Sequence, residues 1–111
     1  MLYNRKITAF YCKVGDRDVM PDVLPKGMGA TITPAIGMWG GVQERSYKAE
    51  IYTASSDEAI RALDMVISGF MKTEENEILI EVIYLPTGVS RASTVSRRNV
   101  NESRYYLGGI L

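Results

Sequence analysis

One amphipathic helix is the feature that most constrains the fold of this 111-residue chain. Ser55 and Glu58 form a capping box, in which the Ser55 hydroxyl accepts the Glu58 amide and the Glu58 carboxylate reaches back. Apolar residues then recur at intervals of three and four, at Ala59, Ile60, Leu63, Val66, Ile67 and Phe70. This pattern predicts a helix that begins at Ser55, ends near Lys72 and packs one face on a core.

Alternating apolar residues predict strands on both sides of this helix. They cover residues 6–14, 30–39, 45–54 and 77–85. Pro86 stops the last strand, and Pro34 would be tolerated only at a sheet edge or a bulge. Gly40 and Gly41 supply a turn, and residues 15–29 are predicted to form a loop with at most one short helical turn.

The order of these elements predicts an α+β fold of the ferredoxin-like kind. We expect a four-stranded antiparallel sheet with helical cover on one face. A sheet with only one covering helix is the alternative, because the first helix is weak. Residues 1–86 form the predicted body, and residues 87–111 form a C-terminal extension that is predicted to be rich in β structure.

The C-terminal extension differs from the body in charge. It carries four arginines against one acid, a net charge of 4 − 1 = +3, whereas the body holds nine basic and twelve acidic residues, 9 − 12 = −3. This asymmetry indicates an anionic ligand or an acidic partner. A disordered basic tail, a strand that extends the sheet, and an ordered tail that crosses onto a second subunit are all compatible with it.

We favour the third arrangement, because the apolar end of the chain at Tyr105, Tyr106, Leu107, Ile110 and Leu111 needs cover. The predicted homo-oligomer would then bind phosphate in a cleft between chains. Its tail ligands would be Arg91, Arg97, Arg98, Asn99, Arg104 and Tyr105. The alternative is that the arginines pair with acids of the partner body.

Trp39, the only tryptophan, lies between glycines before a charged segment. It is a candidate stacking platform for a base, with Arg45 near the phosphate. The alternative is that Trp39 covers the core at a sheet edge and that Arg45 is a solvated strand residue.

The residue inventory excludes several kinds of catalytic site. The chain has no histidine and a single cysteine, Cys12, so it cannot form a Ser-His-Asp site or a plausible zinc centre. Asp16, Asp18 and Asp22 lack the spacing of a calcium loop, and no glycine segment matches a phosphate-binding loop. We therefore expect neither a metal nor a cofactor. An acid-base enzyme that uses only carboxylates and tyrosines stays an alternative.

No apolar run approaches the roughly 18 residues of a membrane helix, and no signal peptide is visible. A cytoplasmic protein is therefore expected.

The order of Gly37, Trp39, Glu44, Ser46 and the helix from Ser55 resembles small ferredoxin-like proteins encoded by phages. It also resembles the Thoeris anti-defence sponges, which sequester nucleotide immune signals. The resemblance implies a homo-oligomer that binds a cyclic nucleotide-type ligand without turning it over.

Together these observations predict a non-enzymatic protein that binds or sequesters a phosphate-bearing small molecule such as a nucleotide. A protein–protein interaction module with a basic docking tail is the first alternative. Binding of single-stranded nucleic acid is the second, although the chain is not as basic as a dedicated nucleic-acid binder.

Overall fold

A computed structural model describes residues 2–12 and 28–111; of Cys12 and Trp39 only the backbone is considered. The described chain contains five strands and two helices. The strands are β1 (Arg5–Cys12), β2 (Thr31–Trp39), β3 (Val42–Thr53), β4 (Glu77–Tyr84) and β5 (Val89–Ser96). The helices are α1 (Ser56–Met71) and α2 (Val100–Gly108). The predicted helical turn and the Asp16, Asp18 and Asp22 group lie outside the described residues.

All five strands form one antiparallel sheet in the order β2-β3-β1-β4-β5. The strands β2, β3, β1 and β4 have the order of a ferredoxin-like sheet, with β1 between β3 and β4. The α+β fold predicted from the sequence is therefore confirmed. Gly40 and Gly41 both have positive φ values, which explains why glycines form the tight turn between β2 and β3.

The core lies between one face of the sheet and the helices. Alternate residues of β1, β3 and β4 supply the sheet side, and the buried face of α1 covers them. Ile60, which was predicted to lie on that face, is 42% exposed. The capping box of α1 is present: the Ser55 hydroxyl accepts the Glu58 amide at 3.2 Å. The Glu58 carboxylate reaches back one residue further than expected and accepts the Ala54 amide at 3.3 Å.

The C-terminal extension begins with β structure, as predicted, but it does not consist of β structure throughout. It adds a fifth strand, β5, to the edge of β4, and it then continues as a helix rather than as further β structure. Val100, Ser103 and Leu107 are spaced by three and four residues, and Ser103 and Leu107 are buried. Leu107 packs in the core of the same chain. Contact between this extension and a second subunit stays a prediction.

Partial burial tends to raise the pKa of the Glu50 carboxyl on β3. The hydrogen bonds and charges of Lys6 and Lys48 outweigh this effect and lower that pKa below its usual value. Their ammonium groups lie 3.3 and 3.4 Å from the carboxylate oxygens.

Neither described helix is long and apolar enough to cross a membrane.

Candidate functional site

An open cavity of about 530 Å³ lies at one end of the sheet, between β3 and the start of β4. Cys12, the last residue of β1, pairs with Ser46, whereas β3 begins earlier in the chain at Val42. The hairpin of β2 and β3 therefore extends beyond the paired part of β1. The cavity occupies the space between this hairpin and the residues that lead into β4.

The cavity has a mainly apolar wall with a few polar groups, which is the usual character of a small-molecule site. Its described apolar lining consists of Phe10, Tyr11, Ala35, Ile36, Met38, Ile78 and Leu79. Its described polar lining consists of Glu44, Ser46, Glu75, Asn76, Glu77 and Thr94. The aromatic and aliphatic surfaces suit a flat heterocycle, and the carboxylates suit a cation.

Glu75 is the most unusual of these polar residues. It precedes β4 and is only 7% exposed. One of its carboxylate oxygens, Oε1, is buried without a hydrogen-bond partner in the described part of the chain. Burial raises the pKa of the Glu75 carboxyl, and the negative charge of Glu44 raises it further. A buried, perturbed carboxyl in a cavity is typical of functional sites.

Tyr11 is a second lining residue with a buried polar atom that has no partner among the described residues. The residue is fully buried, and its hydroxyl finds no partner among the described residues. Burial raises the pKa of the Tyr11 hydroxyl well above its usual value, so the group stays protonated at neutral pH. It can therefore donate a hydrogen bond to a ligand, whereas Glu75 can accept one.

The loop that carries Glu75 is tied to α1 and to the corner after β5. Thr73 Oγ1 donates to the Phe70 carbonyl at 2.7 Å and accepts the Glu75 amide at 3.3 Å. The Arg97 guanidinium donates to the backbone carbonyls of Thr73 and Glu75. It also lies over the Phe70 ring, 5.3 Å from the ring centroid. These contacts fix the backbone on both sides of Glu74.

The residues predicted as ligand contacts do not coincide with the described lining of this cavity. Of the eight, the seven with described side chains are all absent from the described cavity lining: Arg45, Arg91, Arg97, Arg98, Asn99, Arg104 and Tyr105. Trp39 is the last residue of β2, where it pairs with Val42. Arg45 is exposed on β3, opposite Ile36.

Three of the four tail arginines are engaged within the chain. Arg91 donates to the Tyr106 carbonyl at 2.8 Å and lies over the ring of that tyrosine. Arg104 forms an ion pair with Asp64 at 3.0 Å, and Arg97 holds the Glu75 loop.

Arg98 is exposed, and so is Tyr105 at 87%. Asn99 closes the turn after β5: its side-chain oxygen accepts the Ser96 amide at 2.7 Å. A role for any of these residues in ligand binding stays a prediction.

Neither Glu75 nor Tyr11 was predicted as a site residue from the sequence. Glu75 lies in an acidic stretch, Glu74-Glu75-Asn76-Glu77, that has the composition of a solvated loop. Tyr11 follows the alternation of an ordinary buried strand residue. Only the burial of both groups without partners distinguishes them, and burial depends on contacts between distant parts of the chain. The one usable signal was the alternative of an enzyme built on carboxylates and tyrosines.

No family model matches the chain, and a comparison with curated proteins finds no match. Solved structures do share its fold. A phage SAM lyase in the apo state has a TM-score of 0.63 at 16% identity, over 85% of this chain and 90% of that one. A phage SAM lyase in complex with S-methyl-5'-thioadenosine has a TM-score of 0.55 at 10% identity, over 86% of this chain and 91% of that one.

These comparisons contradict the prediction of a non-enzymatic sequestering protein, because both of the similar structures are lyases and a lyase is an enzyme. The absence of histidine excluded triad chemistry, but it did not exclude chemistry in a cavity lined by carboxyl and hydroxyl groups. The broader expectation of a phage protein with a nucleotide-like ligand agrees with both structures. Neither of them is a Thoeris sponge, and neither alternative function is favoured.

Proposed function

We propose that this chain is a lyase that binds a sulfonium nucleoside such as SAM in the cavity and releases S-methyl-5'-thioadenosine from it. One observation carries the proposal: a fold shared with SAM lyases holds the buried Glu75 carboxyl, whose Oε1 has no partner among the described residues, in the lining of a mainly apolar cavity. An acceptor of this kind, beside the second negative charge of Glu44, suits a compact organic cation.

The proposed ligand has an apolar part and a cationic part, which suit the apolar lining and the carboxylates of the cavity. The adenine ring is flat and weakly polar, so it suits the wall formed by Phe10, Ile36, Met38 and Leu79. The positive centre of SAM suits Glu75, because an opposite charge favours the ionised form of a carboxyl that burial alone disfavours. The protonated Tyr11 hydroxyl can donate to an oxygen or a nitrogen of the ligand.

In the proposed reaction the bond between the sulfonium sulfur and the side-chain carbon of the amino-acid fragment breaks. Both electrons of that bond go to sulfur, which becomes a neutral thioether. The amino-acid fragment forms its new bond internally, because its own carboxylate attacks the carbon that sulfur leaves and closes a lactone, so no water is consumed and no proton is lost. The product has lost the charge that Glu75 and Glu44 attract, and it should therefore bind more weakly than the substrate.

The apolar wall has a catalytic consequence in this scheme. Charge that is concentrated on sulfur in the substrate is dispersed in the transition state. A cavity that replaces water with apolar surface stabilises the concentrated charge less than water does, which lowers the barrier relative to solution. Glu75 and Glu44 then serve to bind the cation in spite of this desolvation.

The predicted homo-oligomer and the cytoplasmic site of action belong to this proposal. The outer side of β2 has no strand partner within the described residues, and its residues Ile36 and Met38 are exposed at 71% and 64%. An exposed apolar edge strand favours pairing with a second copy. Light scattering coupled to size exclusion tests this part, and a monomer at micromolar concentration would contradict it.

The function itself is tested by incubating the purified protein with SAM and quantifying both nucleosides by liquid chromatography and mass spectrometry. We expect many molecules of S-methyl-5'-thioadenosine for each protein chain. Heat-denatured protein provides the control, because SAM also decomposes slowly without an enzyme. If SAM decays at the same rate in both samples, the proposal is wrong.

A further inference from the structure

Arg97 contacts the backbone that carries Glu75, although it lies outside the described cavity lining. We propose that Arg97 is a positioning residue that holds the Glu75 carboxyl in the cavity. The inference rests on the proposed function for its catalytic meaning, but the contact on which it depends is independent of the ligand.

The contact is a fork between one guanidinium and two carbonyls. Nη1 of Arg97 donates to the Glu75 carbonyl, and Nη2 donates to the Thr73 carbonyl. A planar guanidinium with two parallel donors fixes both the position and the direction of the groups it binds. The backbone between Thr73 and Glu75 is therefore held from outside the loop as well as by the Thr73 hydroxyl.

The Glu75 loop needs such an anchor because burial of the Glu75 side chain is itself unfavourable. A carboxyl that is removed from water without a full set of hydrogen bonds is unfavourable when it is ionised. A small outward movement of residues 72–76 would return this carboxyl to solvent. The Arg97 fork prevents that movement, and the stacking of the guanidinium on Phe70 ties it to the end of α1.

Arg97 is itself held by the corner between β5 and α2. Asn99 accepts the Ser96 amide at 2.7 Å and donates from Nδ2 to the Thr94 carbonyl at 3.0 Å. Thr94 lines the cavity. The corner thus links one wall of the cavity to the loop that carries its buried carboxyl. The basic tail acts in this scheme through its backbone contacts, and no ligand phosphate is involved.

The experiment compares three variants of the full chain: Arg97→Ala, Arg97→Lys and, as a matched control, Arg98→Ala. Arg98 is the adjacent arginine and is exposed, so its removal changes the net charge equally. Two quantities are measured for each. One is the pKa of Glu75, by carbon-detected NMR titration of its carboxyl. The other is the pH dependence of kcat and KM with SAM.

For Arg97→Ala we expect the loop to relax and the pKa of Glu75 to fall toward its ordinary value. The acidic limb of the pH profile should move to lower pH, and KM should rise by roughly tenfold or more, since displacement of a binding group is costly. Arg97→Lys should lie between, because an ammonium lacks the rigid, planar pair of donors of the guanidinium and therefore fixes the two carbonyls less firmly. Arg98→Ala should leave the pKa of Glu75 as it is in the wild type.

An unchanged pKa of Glu75 in Arg97→Ala, or an equal change in Arg98→Ala, would overturn the inference. If Arg97→Ala does not fold, the shift expected for Arg97→Lys relative to Arg98→Ala decides it. The titration also separates the two proposals. A wild-type chain that leaves SAM intact, but whose Glu75 pKa falls on loss of Arg97, would refute the lyase and retain the positioning role.

Discussion

At the scale of single residues, the site contains polar groups that are buried, although burial without a hydrogen-bond partner is unfavourable for a polar group. Glu75 is nearly buried and Tyr11 fully buried, and neither Glu75 Oε1 nor the Tyr11 hydroxyl has a partner among the described residues. Natural folds rarely leave buried polar atoms without partners, so such atoms need an explanation. A ligand that accepts from Tyr11 and is attracted to Glu75 supplies one for both. Sequence alone could not reveal this pair, because the two residues are distant in the chain.

Glu75→Gln should stabilise the free protein at neutral pH. The folded pKa of Glu75 is raised, so the folded chain binds this proton more tightly than the unfolded chain. The contribution of this group to stability is therefore greatest in acid and is lost as the pH rises through the raised pKa. We expect a gain on the order of 1 kcal/mol at neutral pH that shrinks in acid, measured by urea unfolding. Glu74→Gln, an exposed neighbour, is the control, and a less stable Glu75→Gln would show that the carboxylate is paired.

Tyr11→Phe should leave the free protein at least as stable as the wild type. The substitution removes a buried hydroxyl that has no partner in the described structure and keeps the ring. If the hydroxyl donates to the ligand, the affinity for S-methyl-5'-thioadenosine should fall by roughly tenfold in calorimetry. Tyr105→Phe is the control, because Tyr105 is exposed. Loss of affinity in Tyr105→Phe alone would instead support the tail as the ligand site.

At the scale of elements, local sequence signals were reliable where they were repeated. The helix α1 follows from a capping box and six apolar residues, and β1, β3 and β4 follow from alternation. The helix α2 was missed because its core contacts rest on Val100, Ser103 and Leu107 within a polar segment. This helix is stabilised by packing against α1 and β5, and sequence periodicity does not reveal such tertiary contacts.

Ser55→Ala should lower the free energy of unfolding by about 1 kcal/mol, because it leaves the Glu58 amide without its acceptor. It should leave the KM for SAM unchanged, since Ser55 lies at the end of α1 opposite to the Glu75 loop. Chemical denaturation and steady-state kinetics check the two parts. Ser68→Ala, an exposed position on the same helix, provides the control, and equal losses in both variants would argue against the cap.

At the scale of the whole molecule, the fold could be predicted and the cavity could not. The order of strands and helix limits the chain to an α+β sheet, and the structure adds only β5 and α2 to the predicted body. The cavity arises where the hairpin of β2 and β3 extends past the paired part of β1, next to the loop before β4. That juxtaposition depends on the register between strands, which alternation of residue types does not determine.

In the proposed function, the Glu75 carboxylate binds the sulfonium cation of SAM in the cavity, and SAM is then cleaved there. This proposal is tested most directly by measuring kcat/KM for release of S-methyl-5'-thioadenosine by the wild type and Glu75→Gln across acidic and neutral pH. We predict that the wild type loses kcat/KM as the pH falls through the raised pKa of Glu75, because protonation removes the charge that binds the cation. Glu75→Gln should be at least tenfold less active at neutral pH and insensitive to this range. Equal activity and equal pH profiles in the two proteins would contradict the account.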